Sequence, residues 1–270
     1  MGNQDTVLGR VVRGAKDWTT ITAGESGARV LRSPDERSYA KVATAAGRED
    51  LAGERDRIAW LSRTGIGGPA VLDWSSDDDG ACLVMTAVPG IPANLLDVEK
   101  LSAVWPHLAE MVRDVHELSP DDCPFRRDLA AMMDRARDVV AKNLVATELL
   151  PVELQDLPVQ DVLERLESAY GERLADERVE TVVCHGDLCL PNVMVDPETA
   201  RVTGFVGVGR LGLADPYADI ALLLASARET WPDDDSARGA DAVFATRYGA
   251  SLDAGRRRFY QWLDPLTRYA

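Results

Sequence analysis

Apolar residues between positions 18 and 90 fall in short runs separated by polar turns, a spacing that predicts strands around one helix. "WTTITAGESGARVLRSP" holds two β-prone runs about the polar turn "AGESG" (23–27), and "RSYAKVAT" (37–44) is another. "GREDLAGERDRIAWLSRTG" changes period: Leu51, Ile58 and Leu61 recur at helical spacing, and Gly65 is placed to stop the helix. "GPAVLDWSSDDDGACLVMTAVPG" predicts strand, acidic hairpin, strand, with Asp79-Gly80 as the turn. "VPGIPA" (88–93) breaks the regularity and marks a linker.

Beyond the linker the pattern becomes helical. Leu101, Val104, Trp105, Leu108, Met111, Val112, Val115 and Leu118 form a sustained stripe of period 3.6, and residues 125–148, 159–174 and 215–229 predict further helices. "VETVVCHGD", "NVMVDP" and "RVTGFVGV" are short β-like pieces in a loop-rich centre. The expected organisation is α+β: a small β-rich lobe over 1–87, a hinge at 88–93, and a larger, mainly helical lobe over 94–270.

The chain's 270 residues are enough for a large core or two lobes. No apolar run is long enough to span a bilayer, and "MGNQDTVLGRVV" carries no signal-peptide pattern, so a cytoplasmic protein that does not enter the membrane is expected. Four cysteines without zinc-ligand spacing predict reduced thiols. The net charge of −15 argues against a nucleic-acid partner and suits a polycationic small molecule, although solubility alone also accounts for it. No obligate protein partner is evident.

Candidate chemistry centres on "HGDLCLPN". Asp187 offers a carboxylate to accept or orient a hydroxyl proton, and Asn192 a neutral oxygen for Mg²⁺. On spacing alone, a turn whose Asp and Asn satisfy their own backbone accounts for it at least as well. Lys41 lies inside the apolar run "YAKVA", where a buried ammonium needs a partner, and Glu54 in the helical segment is a reasonable one. "AGESG" between two strands offers backbone amides to phosphates.

In that order along the chain, the segments "LAGERDRIAWL", "GACLVMTAVPGIPA", "CPFRRDL", "VVCHGDLCLPNVMVDP", "GRLGLADPYADIALLLA" and "LDPLT" resemble the aminoglycoside phosphotransferases, and within them the streptomycin 3''-phosphorylating subgroup. The resemblance implies a two-lobed, protein-kinase-like fold and transfer of a phosphoryl group from ATP or GTP, with Mg²⁺, to a streptomycin-type aminoglycoside. It implies that Ser26 and Gly27 lie in the nucleotide loop and that Lys41, braced by Glu54, holds the α/β-phosphates. Met85 would flank the adenine, with backbone groups of Thr86 and Val88 bonding to it. Asp187 would be the catalytic base and Asn192 a metal ligand. Arg210, Glu229 and Asp264 would lie near the aminoglycoside, and Asp219 would brace the catalytic loop.

One position departs from the resemblance. "GFVGVGR" (204–210) stands where the family pattern has Gly-Phe-Ile-Asp-x-Gly-Arg, so Gly207 replaces the Asp that binds metal. Its three glycines are therefore a strand end that lacks a carboxylate, and not a phosphate cradle. Impaired turnover is expected. The rival readings are another small-molecule hydroxyl kinase of the same superfamily, or a nucleotide- and drug-binding protein without catalysis.

Overall fold

The computed structural model describes residues 17–21 and 28–268. The whole "AGESG" turn (23–27), with Ser26 and Gly27, lies outside the described residues. The chain divides into two compact units, one built from residues up to Gly90 together with Thr203–Gly209, the other from Ile91–Val202 and Arg210 onward. The return of 203–209 to the first unit was not expected from the sequence, which placed everything beyond 93 in the second lobe.

The first unit is an antiparallel sheet of five strands: β1 (Thr19–Ile21), β2 (Arg29–Arg32), β3 (Ser38–Thr44), β4 (Val71–Asp77) and β5 (Gly80–Thr86), in the order β1-β2-β3-β5-β4. Helix α1 (Arg48–Leu61) follows β3 and buries Leu51, Glu54, Ile58 and Leu61. Alternation puts Leu31, Ala40, Val42, Cys82 and Val84 into one apolar cluster, against which Trp18 packs. Lys41, between Ala40 and Val42, therefore belongs to the other face of β3.

The hairpin turn falls one residue earlier than expected. Asp77 pairs with Gly80, so Asp78 and Asp79 form the loop and Gly80 is already strand. Its glycine has a different cause: a Cβ there would lie 2.1 Å from the carbonyl oxygen of Ala43 on β3. A similar close approach ties the 203–209 return to this unit. A Cβ on Gly67 would sit 2.1 Å from the Thr203 carbonyl oxygen, and the Phe205 amide donates to Gly67 O at 3.0 Å.

The second unit opens with β6 (Ile91–Pro92) and helix α2 (Val98–His116), capped by Asp97, whose side chain accepts from the Lys100 amide. Its buried stripe is Leu101, Val104, Trp105, Leu108, Val112 and Val115, ending on His116. Then follow α3 (Leu129–Ala141), α4 (Val159–Val179), β7 (Val182–Cys184), β8 (Val193–Asp196) and β9 (Arg201–Phe205), on which the chain leaves this unit. It re-enters at β10 (Gly212–Ala214), antiparallel to β7, and continues as α5 (Tyr217–Ala227), α6 (Asp234–Tyr248) and α7 (Ala254–Leu266).

Two helices depart from the expected lengths. α3 stops at Ala141, and α4 continues to Val179 because Glu177, buried on its last turn, accepts the Leu129 amide at 2.7 Å. Helices α6 and α7 were not anticipated. The first buries only Ala237, Ala240 and Phe244, and the indole nitrogen of Trp105 donates to Ala240 O at 2.8 Å. None of the four cysteines is in a disulfide, and no described helix is long and apolar enough to cross a membrane.

Candidate active site

The loop between β7 and β8 is held by α5. Asp219, fully buried in the first turn of that helix, accepts the backbone amide of His185 on Oδ2 at 2.6 Å and that of Gly186 on Oδ1 at 2.8 Å. His116 Nε2 stands 3.3 Å from the same Oδ2, and its Nδ1 is 2.8 Å from the Tyr248 hydroxyl. Burial alone would raise the Asp219 pKa, but the hydrogen bond and charge of His116, with His185 and the Gly186 amide, hold it below the ordinary carboxylate value. Gly186 adopts φ 82°, and a Cβ on it would lie 2.1 Å from Arg210 O.

This fixes the loop that carries Asp187 and Asn192. The Asn192 amide nitrogen donates to Asp187 O at 2.8 Å and to Asp187 Oδ2 at 3.1 Å. The Leu190 amide is anchored on Ser226 Oγ of α5 at 2.8 Å. Asp187 is half-buried. Burial pushes its pKa up, yet Arg268, Arg210 and His185 together bring it below the usual carboxylate range, so it is ionised at neutral pH. A rigidly placed, ionised carboxylate suits a group that orients and accepts a hydroxyl proton.

Arginines crowd the same place. Asp264, buried on α7, pairs with Arg127 at 3.3 Å, Arg210 at 3.4 Å and Arg268 at 2.7 Å. Arg268 also pairs with Asp187 Oδ1. Burial and the nearby Arg127 charge lower the Arg210 pKa to about 10. Arg210 and Asp264 are thus brought into the Asp187 group. Glu229 is exposed on the turn Arg228–Thr230.

In the first unit, Lys41 Nζ lies 2.6 Å from Glu54 Oε1, both side chains largely buried. Met85 and Val88 are buried. The Thr86 amide donates to Ala70 O and its hydroxyl accepts from the Ala70 amide, both at 2.9 Å. Gly209 passes within 3.7 Å of Glu54, measured from the Cβ it lacks.

Residues 17–262 match the phosphotransferase enzyme family. The chain belongs to that family.

The phosphotransferase is 54% identical over 251 residues to streptomycin 3''-kinase of Streptomyces griseus, covering 93% of this chain and 92% of the relative. It is 41% identical to an aminoglycoside 3'-phosphotransferase of Streptomyces fradiae, with 92% and 94% covered. Among solved structures it is similar to aminoglycoside phosphotransferase APH(3'')-Id of Streptomyces rimosus, with TM-score 0.92, 49% identity, and 98% and 97% of the two chains covered. The same Streptomyces rimosus protein in complex with ADP and streptomycin gives TM-score 0.88 at 50% identity, with 93% and 92% covered. The fold is the protein-kinase-like α+β fold that the resemblance implied.

Gly207 takes φ 71°, in the left-handed region, and is half-buried. It brings no side-chain oxygen. With its amide nitrogen spent on Asp187, Asn192 has only Oδ1 to offer a cation. A divalent cation needs about six oxygens and is usually held by at least one carboxylate. The two positions that the resemblance implies as metal ligands thus offer a cation one neutral oxygen and no carboxylate.

Arg127, Arg268, His116 and Ser226 have roles here that sequence reasoning did not single out. Two of them left a trace. His116 continues the buried α2 stripe at Val112 plus four, and Arg268 follows Asp264 by four, the spacing of a helical ion pair.

Proposed function

We propose that this phosphotransferase moves the γ-phosphoryl group of ATP or GTP to the 3''-hydroxyl of streptomycin, at a rate held down by Gly207. The observation that carries the reading is the Asp187–Asn192 loop. Its backbone is clamped by Asp219 and its carboxylate is kept ionised, in a chain more than half identical to a streptomycin 3''-kinase.

Phosphoryl transfer passes through a loose transition state, so positioning and charge neutralisation dominate over strong base chemistry. Asp187 orients the acceptor hydroxyl and takes its proton as the oxygen–phosphorus bond forms, while the nucleoside diphosphate leaves. Lys41, set by Glu54, meets the α/β-phosphates, and backbone groups of Thr86 and Val88 meet the base beside Met85. Glu229 and Asp264, on a chain of net charge −15, favour a guanidinium-bearing acceptor. Mg²⁺, were it to arrive with the nucleotide, would neutralise phosphate charge, and Asn192 would be the residue left to hold it.

The test is phosphate transfer from labelled ATP or GTP to streptomycin and, in parallel, to kanamycin. Streptomycin modified at the 3''-position in preference supports the reading, and equal modification of both contradicts the acceptor assignment. Gly207 specifically favours a second reading, in which nucleotide and aminoglycoside bind with no turnover. Binding of both without product would select it.

A further inference from the structure

The side chain that closes on Asp187 is the protein's own guanidinium. Arg268 lies just past α7, and it touches both carboxylates of the Asp187 group, donating from Nε to Asp264 Oδ2 at 2.7 Å and pairing through Nη2 with Asp187 Oδ1. The other Asp187 oxygen accepts from Asn192. Arg268 keeps 17% of its side chain exposed, whereas Asp264 keeps 5%. Asp264 does not depend on it, since Arg127 and Arg210 pair with that carboxylate from other elements. Among the described residues, Asp187 has no second guanidinium within hydrogen-bonding distance.

We propose that Arg268 is a displaceable cap on the acceptor site, a guanidinium that a cationic acceptor must exchange for its own charge at Asp187 and Asp264. The proposal rests on Asp187 being the base of the reaction described above. Exchange of one cation for another leaves the two carboxylates paired before and after, so a charged acceptor enters without stranding a buried carboxylate. The cost of lifting Arg268 away is charged against acceptor affinity, because only the surplus over the displaced contact is left for binding.

Calorimetric titration of streptomycin, and of agmatine as a small guanidinium probe, into the protein, Arg268→Gln and Arg126→Gln tests this. Arg126 is the control, since its side chain is 71% exposed and pairs with Asp128. Its loss removes one positive charge without touching Asp187 or Asp264. Arg268→Gln should bind both ligands roughly tenfold more tightly, the equivalent of one partly buried ion pair no longer broken. Arg126→Gln should match the parent. Unchanged or weaker binding to Arg268→Gln, an equal gain in Arg126→Gln, or no binding of agmatine to Arg268→Gln overturns the proposal. If streptomycin binds none of the three while agmatine shows the gain, the cap stands and the acceptor assignment falls.

Discussion

Lys41 Nζ sits 2.6 Å from Glu54 Oε1, an ion pair joining β3 to α1 with side-chain exposures of 16% and 10%. Removing the cation strands a nearly buried carboxylate, whereas Glu54→Gln leaves a carbonyl that still accepts from Lys41. Lys41→Met should therefore cost about 1–3 kcal/mol of stability, and Glu54→Gln markedly less. Urea denaturation of the two variants measures the difference. Nucleotide affinity should fall in both, more in Lys41→Met.

Asp187→Asn keeps the shape of the loop and removes the proton acceptor. In a Gly207→Asp background, where turnover is easier to follow, kcat should fall by roughly 100-fold or more. A loss of only a few-fold would remove Asp187 from the chemistry.

Asp219 bonds two backbone amides and His116, and its pKa is depressed against the pull of burial. A carboxylate with a depressed folded-state pKa stabilises fully above its unfolded value, about 3.9, and loses that contribution as pH falls through the folded value. Asp187 acts in the same sense. Asp219→Asn turns an N–H donor toward a backbone N–H, so it should destabilise by about 2–4 kcal/mol at pH 7. It should also make acid unfolding less steep. Denaturation curves at pH 7 and through the range from about pH 4 to about pH 2 decide both points.

Gly67 and Gly171 should respond oppositely to alanine. A Cβ at 67 would meet the Thr203 carbonyl at 2.1 Å, and one at 171, inside α4, would meet nothing within 4 Å. Gly67→Ala should cost roughly 2–4 kcal/mol through backbone displacement, while Gly171→Ala should gain about 0.5–1 kcal/mol. Thermal melts of the two variants are the check.

Helices α1 and α2 were legible because each repeats one period against a single buried face, whereas β5 and α5 were legible as continuous apolar runs that are buried nearly throughout. Glu54 was legible in a stronger sense: it fills the gap in the stripe Leu51, Ile58, Leu61, so the same periodicity that makes the helix buries the carboxylate. Helix α6 escaped because it packs with two alanines and one phenylalanine, too few apolar residues to show a period. The HGD-x4-N loop was visible as a motif, yet its clamp was not: Asp219 follows His185 by thirty-four residues, and its partner His116 comes from a different helix. The return of 203–209 to the first unit turns on the contact of Gly67 with Thr203, which no local pattern announces. Arginine crowding at Asp264 was likewise hidden, because Arg127, Arg210 and Arg268 come from three separate stretches of chain.

The proposed streptomycin-phosphorylating site lacks one carboxylate, at Gly207. Gly207→Asp tests it, since φ 71° is a backbone that Asp tolerates better than most side chains. The measurement is kcat for streptomycin phosphorylation by the parent and by Gly207→Asp at saturating nucleotide and Mg²⁺. Restoring a metal-holding carboxylate should raise kcat by roughly 10²–10⁴-fold. Equal rates for the two proteins would contradict the claim.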